Sequence, residues 1–174
     1  LGQLLPAVLE NERKIWVDRS NQLKAEFPLD MTGADNPRSH FGLIQSVAAC
    51  LDDEAIIATD VGQHQMWVAQ AYPLRRPRQW LTSGGLGTMG FGVPAAIGAA
   101  LAERERTVVC FTGDGSIMMN IQELVTAAEE NVNIKIVLMD NATLGLVHQQ
   151  QTLFYGERLF ASQFRSSPDF IKIA

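Results

Sequence analysis

Short runs dominated by apolar residues alternate along the chain with longer segments whose apolar residues recur at helical spacing. The strongest runs, Thr107–Phe111 and Ile134–Met139, are typical of strands that are covered on both faces of a parallel sheet. The shorter runs Ala55–Thr59 and Gln79–Thr82 are also predicted to be strands. Alternation of such strands with helices indicates an α/β fold with a covered parallel sheet.

The spacing of apolar residues predicts the helices, and one linker divides the chain into two parts. Helices are predicted over residues 7–26, 41–51, 65–70, 94–102, 122–131 and 144–154. Ser39 is a suitable N-cap for the second helix, and Pro94 occupies the first turn of the fourth. Residues 28–37 are rich in turn-forming residues, which predicts a boundary between a linker helix with an interdomain segment (1–37) and a main domain (38–174).

Both ends of the chain suggest a piece of a larger protein. The chain begins without Met, and it stops within the helical pattern of residues 169–174. We therefore expect a main domain that is cut short at its C-terminus.

Composition restricts the classes of function. The 174 residues are 47% hydrophobic and 19% charged, which indicates a globular protein with a sizeable core. A net charge of −5 gives no reason to expect nucleic acid as a partner, and no apolar run approaches the length of a membrane span. Cys50 and Cys110 lie in apolar stretches, so we expect two buried, unbridged thiols and a reducing, cytoplasmic compartment.

Four polar or glycine-rich turns follow the predicted strands, at residues 60–64, 83–92, 113–116 and 140–145. Ligands of parallel sheets bind at such carboxyl ends of the strands. Asp114 and Asn141 lie 27 residues apart, and they offer the hard oxygen ligands that Mg²⁺ prefers. The backbone N–H groups of Gly115 and Ser116 are suited to an anion at a helix start. Together these turns predict a site for Mg²⁺ and a diphosphate.

The same residues also have structural interpretations. Asp114 alone could be an N-cap, Asn141 a turn residue, and His64 either a structural residue or a phosphate contact. The glycine pattern within residues 83–92 matches the dinucleotide fingerprint, but that fold needs a strong preceding strand and only a weak one is predicted. No catalytic triad or pair of acid–base carboxylates stands out, so the chain is expected to bind a cofactor that carries the chemistry.

Longer motifs point to a family. Gly113-Asp114-Gly115 followed by Asp140-Asn141 resembles the thiamine diphosphate motif, which begins GDG and ends in NN. Residues 61–67 and 85–99 resemble acetolactate (acetohydroxyacid) synthase large subunits, and residues 145–151 look most like the bacterial isozyme I type. The resemblance covers essentially the whole chain. It implies a three-layer, doubly wound, mainly parallel α/β fold with helices on both faces, which is the diphosphate-binding domain of these enzymes.

The resemblance also implies roles for individual positions. Mg²⁺ would be bound by Asp114, Asn141 and the backbone carbonyl of Thr143. The other implied cofactor-binding residues are Val61, Gly62, Gln63, His64, Gly87, Met89, Gly113, Gly115, Ser116, Met119, Leu144, Gly145 and Leu146. Among them, the Met89 carbonyl would accept the N4′ proton of the aminopyrimidine, and Met119 would brace the bent cofactor. Gln150 would lie in the second-substrate pocket, where many relatives carry Trp.

For the full-length enzyme, the resemblance implies decarboxylation of pyruvate and condensation with a second 2-oxo acid, on the route to branched-chain amino acids. It also implies FAD bound mostly by another domain, a homodimer or homotetramer, and a regulatory small subunit. The activating glutamate of the family belongs to a separate domain. We therefore expect no catalytic residue in this chain and no activity of the chain alone.

The chain departs from the family pattern at two positions, and two alternative functions remain open. Asp140 replaces the first Asn of the NN pair, and metal binding is expected to survive because the second Asn is the ligand. Gln150 leaves the preference for the second substrate open. The alternatives are another thiamine diphosphate-dependent 2-oxo acid decarboxylase, oxidase or carboligase, and a non-catalytic domain that kept the cofactor fold.

Overall fold

The structure, a computed structural model, describes residues 13–174, which fall into two units divided between Thr32 and Gly33. In the first unit, helix α1 (Lys14–Glu26) has no buried residue. Residues 7–12 of the predicted first helix lie outside the described residues. The assignment of residues 1–37 to a linker helix and interdomain segment stays a prediction.

Four parallel strands form the sheet of the second unit: β1 (Ile56–Thr59), β2 (Trp80–Thr82), β3 (Val108–Gly113) and β4 (Ile134–Met139). Their order in the sheet is β2-β1-β3-β4. β3 therefore pairs with β1 on one side and with β4 on the other. The four predicted strands are all present, and the sheet among the described residues is entirely parallel, as expected.

Helices connect and cover these strands. They are α2 (His40–Ala49), α3 (Gln63–Ala71), α4 (Gly92–Ala102), α5 (Asp114–Ile117), α6 (Glu123–Glu129), α7 (Gly145–Phe154) and α8 (Phe170–Ile173). Ser39 caps α2 as predicted, since its hydroxyl accepts a hydrogen bond from the backbone N–H of Gly42 at 3.0 Å. Among the helices of residues 13–174, none combines the length and apolarity that crossing a bilayer requires.

Alternate side chains of the central strands enter two separate apolar clusters. Ile56 and Cys110 lie in one cluster with residues of α4 and α6. Ile57 and Phe111 lie in the other with residues of α2 and α3. Because neighbouring residues of a strand point to opposite faces, this division confirms a three-layer arrangement with helices on both faces of the sheet.

The strand order reverses direction at β1, and this reversal creates a crevice. From β1 the chain passes through α3 to β2, and it then crosses through α4 to β3 on the opposite side of β1. The connections that leave β1 and β3 therefore diverge at their carboxyl ends. In doubly wound sheets, ligands bind at such a point of reversal.

The structure differs from the sequence prediction at several element ends. β3 runs on to Gly113 because this residue pairs with Met139 of β4. Immediately after it, Asp114 begins the four-residue helix α5, which provides the helix start expected at Gly115 and Ser116 but was not among the predicted helices. Cys50 is exposed, so its predicted burial was wrong. It follows the last residue of α2, where the helical repeat that buries Ile44 against the sheet has ended.

The two thiols are expected to differ sharply in reactivity. Cys110 is fully buried, and burial raises its pKa to about 12, whereas Cys50 is exposed. A chromogenic thiol reagent should therefore titrate one thiol per native chain quickly and the second only after denaturation. Cys50→Ser should abolish the quick reaction. Two quickly reacting thiols in the native chain would contradict the packing of β3.

Candidate cofactor site

A cavity of about 200 Å³ lies at the carboxyl ends of β1, β3 and β4. Every residue predicted to bind cofactor or cation lines it except Met119. These residues are Val61, Gly62, Gln63, His64, Gly87, Met89, Gly113, Asp114, Gly115, Ser116, Asn141, Thr143, Leu144, Gly145 and Leu146. The fold thus brings together turns that are up to 85 residues apart in the sequence, although the individual roles stay predictions.

Asp114 presents a free carboxylate oxygen to this cavity. The side chain is only 4% exposed, and its Oδ1 accepts a hydrogen bond from the backbone N–H of Gly115 at 3.0 Å. Its Oδ2 is buried and has no hydrogen-bond partner among the described residues. Burial, together with the neighbouring carboxylate of Asp140, raises the pKa of Asp114. A buried oxygen without a partner is costly, and a cation at this position would remove that cost.

Asn141 and Thr143 form a second group of oxygens at the end of β4. Asn141 Oδ1 accepts hydrogen bonds from the N–H of Thr143 at 3.1 Å and from its hydroxyl at 2.8 Å. The loop is held by a bridge in which Leu144 N–H donates to Ser162 and Phe164 N–H donates to the Ala142 carbonyl. Because this bridge uses the backbone groups on either side of Thr143, it leaves the Thr143 carbonyl for another partner.

His64 lies at the bottom of the crevice with its ring against the backbone of β3. A Cβ atom at Gly113 would lie 3.0 Å from His64 Nδ1, which is tighter than most Cβ contacts, so glycine favours this close approach. Burial lowers the pKa of His64 to about 4, although the charge of Asp60 acts in the opposite direction. The ring is therefore neutral at physiological pH. Its Nε2 is buried without a hydrogen-bond partner among the described residues, so it can take a polar ligand atom.

Gln63 connects the turn after β1 with the segment after β4. Its Nε2 donates a hydrogen bond to Gln149 Oε1 of α7 at 3.2 Å, and its Oε1 accepts one from Asn141 Nδ2 at 3.5 Å. Ser116 connects the same turn with α5, since its hydroxyl donates to the Val61 carbonyl at 2.6 Å. These side-chain hydrogen bonds hold three strand ends in a fixed relation around the cavity.

Asp60 positions the glycine-rich loop, and the sequence analysis named it only as the start of a turn. This fully buried carboxylate accepts hydrogen bonds from the backbone N–H groups of Val61 at 2.7 Å, Gly90 at 2.9 Å and Gly92 at 2.9 Å. No Lys or Arg among the described residues forms an ion pair with it. The N–H donors therefore stabilise its charge, and they hold the loop that carries Met89 over the end of β1.

Several other residues were missed or lie away from the cavity. Trp67, Met139 and Val147 also line it. Trp67 follows Gln63 by four residues on the same helical face, but the predicted helix began only at residue 65. Met119 is 54% exposed and lies beside Gly90, while Gln150 is exposed on α7. The roles of Met119 and Gln150 stay predictions.

Comparison with known proteins identifies the family of this fold and site. Residues 60–174 match the family described as thiamine pyrophosphate enzyme, C-terminal TPP binding domain, and the chain belongs to this family. The match begins at Asp60, so it includes all the turns that form the cavity. The predicted thiamine diphosphate-binding fold is thereby confirmed.

The similar proteins are acetolactate synthase large subunits. The chain is 61% identical over all of its 174 residues to the acetolactate synthase isozyme 1 large subunit of Escherichia coli, of which it covers 31%. It is 47% identical over 164 residues to a probable acetolactate synthase large subunit of Methanococcus aeolicus. This match covers 91% of this chain and 27% of the relative. It is also 44% identical over 165 residues to the acetolactate synthase large subunit of Haemophilus influenzae, in a match that covers 95% of this chain and 29% of the relative. The chain thus spans about 31% of the first of these relatives.

The contact between Asp60 and the glycine-rich loop predicts opposite effects for two glycines of α4. A Cβ atom at Gly92 would lie 2.9 Å from both Cβ and backbone N of Asp60, whereas a Cβ atom at Gly98 would meet nothing within 4 Å. Gly92→Ala should lower the free energy of unfolding by about 2 kcal/mol through this clash. Gly98→Ala, the matched control, should raise it by about 0.5–1 kcal/mol because alanine favours the helix. Urea titrations that show both variants shifted in the same direction would contradict this packing.

Proposed function

We propose that this chain is the cofactor-binding C-terminal part of an acetolactate synthase large subunit. The enzyme would decarboxylate pyruvate and condense the resulting two-carbon unit with a second 2-oxo acid, on the route to branched-chain amino acids. The observation that carries the proposal is the pair of buried, unpartnered polar atoms, Asp114 Oδ2 and His64 Nε2, in one cavity of a thiamine diphosphate-binding fold. The names of the similar proteins support the particular reaction.

Asp114 Oδ2, Asn141 Oδ1 and the Thr143 carbonyl are the proposed Mg²⁺ ligands. All three oxygens belong to residues that line the cavity, and they are the hard donors that Mg²⁺ prefers. Asn141 Oδ1 already accepts two hydrogen bonds from Thr143, so cation binding would displace the hydroxyl and keep the backbone N–H. The remaining coordination positions would be left to diphosphate oxygens and water.

The diphosphate would be bound by the turn after β1 and by two helix starts. Gly145 and Leu146 begin the ten-residue helix α7, where backbone N–H groups are available to an anion. Ser116 would contribute a further N–H group at the start of α5, where the N–H of Gly115 already donates to Asp114 Oδ1. The neutral His64 ring would donate a hydrogen bond to a diphosphate oxygen from one of its nitrogens. Because these donors are neutral, they compensate little of the negative charge of the diphosphate. The cation would compensate most of it.

When bound, thiamine diphosphate supplies the carbanion and the electron sink for decarboxylation and carbon–carbon bond formation. The residues of this chain would bind and orient it. Asp60 would hold the glycine-rich loop so that the Met89 carbonyl faces the aminopyrimidine. Met119 would brace the bent cofactor, and Gln150 would line the pocket of the second 2-oxo acid. The last two roles require these exposed side chains to become covered in the whole enzyme.

The rest of the proposal concerns the whole enzyme. FAD would be bound mostly by another domain, and a further domain, usually of the partner subunit, would provide the activating glutamate. The large subunit would form a homodimer or homotetramer in the cytoplasm and bind a small regulatory subunit. This chain alone would therefore be inactive.

Product analysis tests the proposed reaction. The complete large subunit that carries this chain should form acetolactate from pyruvate in the presence of thiamine diphosphate and Mg²⁺, and the 174-residue chain should form none. Asp114→Asn in the complete subunit should reduce the rate at least about 100-fold, because the cation would lose its anionic ligand. Asp52→Asn, which removes an exposed carboxylate outside the cavity, should retain the rate. Acetaldehyde or acetyl phosphate as the main product would refute the proposed reaction.

A further inference from the structure

The end of β3 and the end of β4 place two carboxylates side by side. Gly113 pairs with Met139 in the parallel register of these strands, so the next residues, Asp114 and Asp140, occupy adjacent positions. Neighbouring strands are only about 4.8 Å apart, which brings the two side chains within direct electrostatic reach. The thiamine diphosphate motif that this chain resembles has Asn at the position of Asp140, so the second charge is a departure from that motif.

Neither carboxylate has a positively charged partner among the described residues. Asp114 accepts one hydrogen bond from Gly115 N–H, and Asp140 accepts one from Ala142 N–H at 3.0 Å. The ion pairs of residues 13–174 involve other acids. The Oδ2 atom of Asp114, a residue that is only 4% exposed, has no hydrogen-bond partner among residues 13–174. The carboxylate of Asp114, which lines the cavity, and the exposed carboxylate of Asp140 beside it therefore have no cation from the described residues.

We propose that Asp140 is a second carboxylate of the cation site, and that it allows this chain to bind a divalent cation without the diphosphate. The inference rests on the proposed function, in which Asp114, Asn141 and Thr143 hold that cation. Two carboxylates attract a divalent ion more strongly than one, and at separations of a few Å this attraction is appreciable even near the protein surface. Asp140 acts directly on the ion or through a bound water.

The second carboxylate has the opposite effect on the diphosphate. Before a cation is bound, Asp114 and Asp140 repel the anionic cofactor, and the neutral His64 does not offset this repulsion. Once a cation is bound, its charge cancels that of the two carboxylates. Cation and diphosphate therefore bind with strong positive coupling, and by linkage the coupling is the same whichever ligand binds first. Removal of the Asp140 charge weakens this coupling.

Binding measurements with Mn²⁺ alone and with inorganic diphosphate alone test the inference. Electron paramagnetic resonance should detect Mn²⁺ bound to the wild-type chain, and Asp140→Asn should weaken this binding about tenfold. Calorimetry should show that the same variant binds inorganic diphosphate several-fold more tightly when no cation is present. The melting temperature of the cation-free chain should rise in Asp140→Asn, because the repulsion with Asp114 is relieved.

Asp52→Asn is the matched control. Asp52 Oδ1 accepts the N–H of Glu54 two residues later at 2.9 Å, the same local hydrogen bond that Asp140 makes with Ala142, but Asp52 precedes β1 and is not a neighbour of Asp114. This variant should leave binding of Mn²⁺ and of diphosphate unchanged. If Asp140 were only a turn residue, Asp140→Asn would behave in the same way and the inference would be overturned.

Asp114→Asn separates failure of this inference from failure of the proposed function. Loss of Mn²⁺ binding in Asp114→Asn with no change in Asp140→Asn overturns the role of Asp140 and leaves the proposed site intact. Undiminished Mn²⁺ binding in Asp114→Asn overturns the proposed cation site itself. A wild-type chain that binds Mn²⁺ only when thiamine diphosphate is added also overturns the inference, while the proposed function stands.

Discussion

The parallel pairing of β3 with β1 on one side and β4 on the other determines where every polar group of the site lies. Thr59 of β1 pairs with Phe111, and Met139 of β4 pairs with Gly113. The residues that follow each strand therefore emerge at one edge of the sheet, within a single crevice. A shift of this register would move the strand ends apart and turn their side chains to the wrong faces. The apolar side chains of β3, packed on both faces, fix the register.

The site combines a rigid frame with polar atoms that lack partners. Asp60 is a buried charge whose two oxygens are satisfied by three backbone N–H groups, so it ties two loops together without a salt bridge. Asp114 and His64 are similarly buried, but each keeps one polar atom without a partner in the described part of the chain. Folding normally excludes such atoms because their desolvation is not compensated. Their retention at one cavity indicates that a ligand, rather than the protein, completes them.

The sequence supported a large part of this account for identifiable reasons. β4 was predicted with its observed bounds because its run is apolar and bounded by polar turns, and Ser39 was recognised from its capping chemistry. The convergence of Asp114 and Asn141 followed from the rule that ligands bind at the carboxyl ends of parallel strands. Belonging to the family, with its named acetolactate synthase relatives, then agreed with the motifs around these residues.

Other features depend on contacts that sequence patterns do not contain. The role of Asp60 is visible only when Gly90 and Gly92, about 30 residues later, are placed against its carboxylate. The burial of Cys50 was predicted wrongly because an apolar stretch of sequence does not indicate at which residue a helix ends. Met119 and Gln150 were named from resemblance, and both are exposed, so no contact among the described residues bears on their roles.

A crystal structure of the chain grown with Mn²⁺ and thiamine diphosphate tests the central claim most directly, since the anomalous signal of manganese locates the cation. The account predicts one strong peak at the carboxyl ends of β3 and β4, within coordination distance of Asp114 Oδ2, Asn141 Oδ1 and the Thr143 carbonyl. The diphosphate should lie between this peak and the His64 ring. A cation bound elsewhere, or a diphosphate in the crevice with Asp114 Oδ2 still without a partner, would contradict the account.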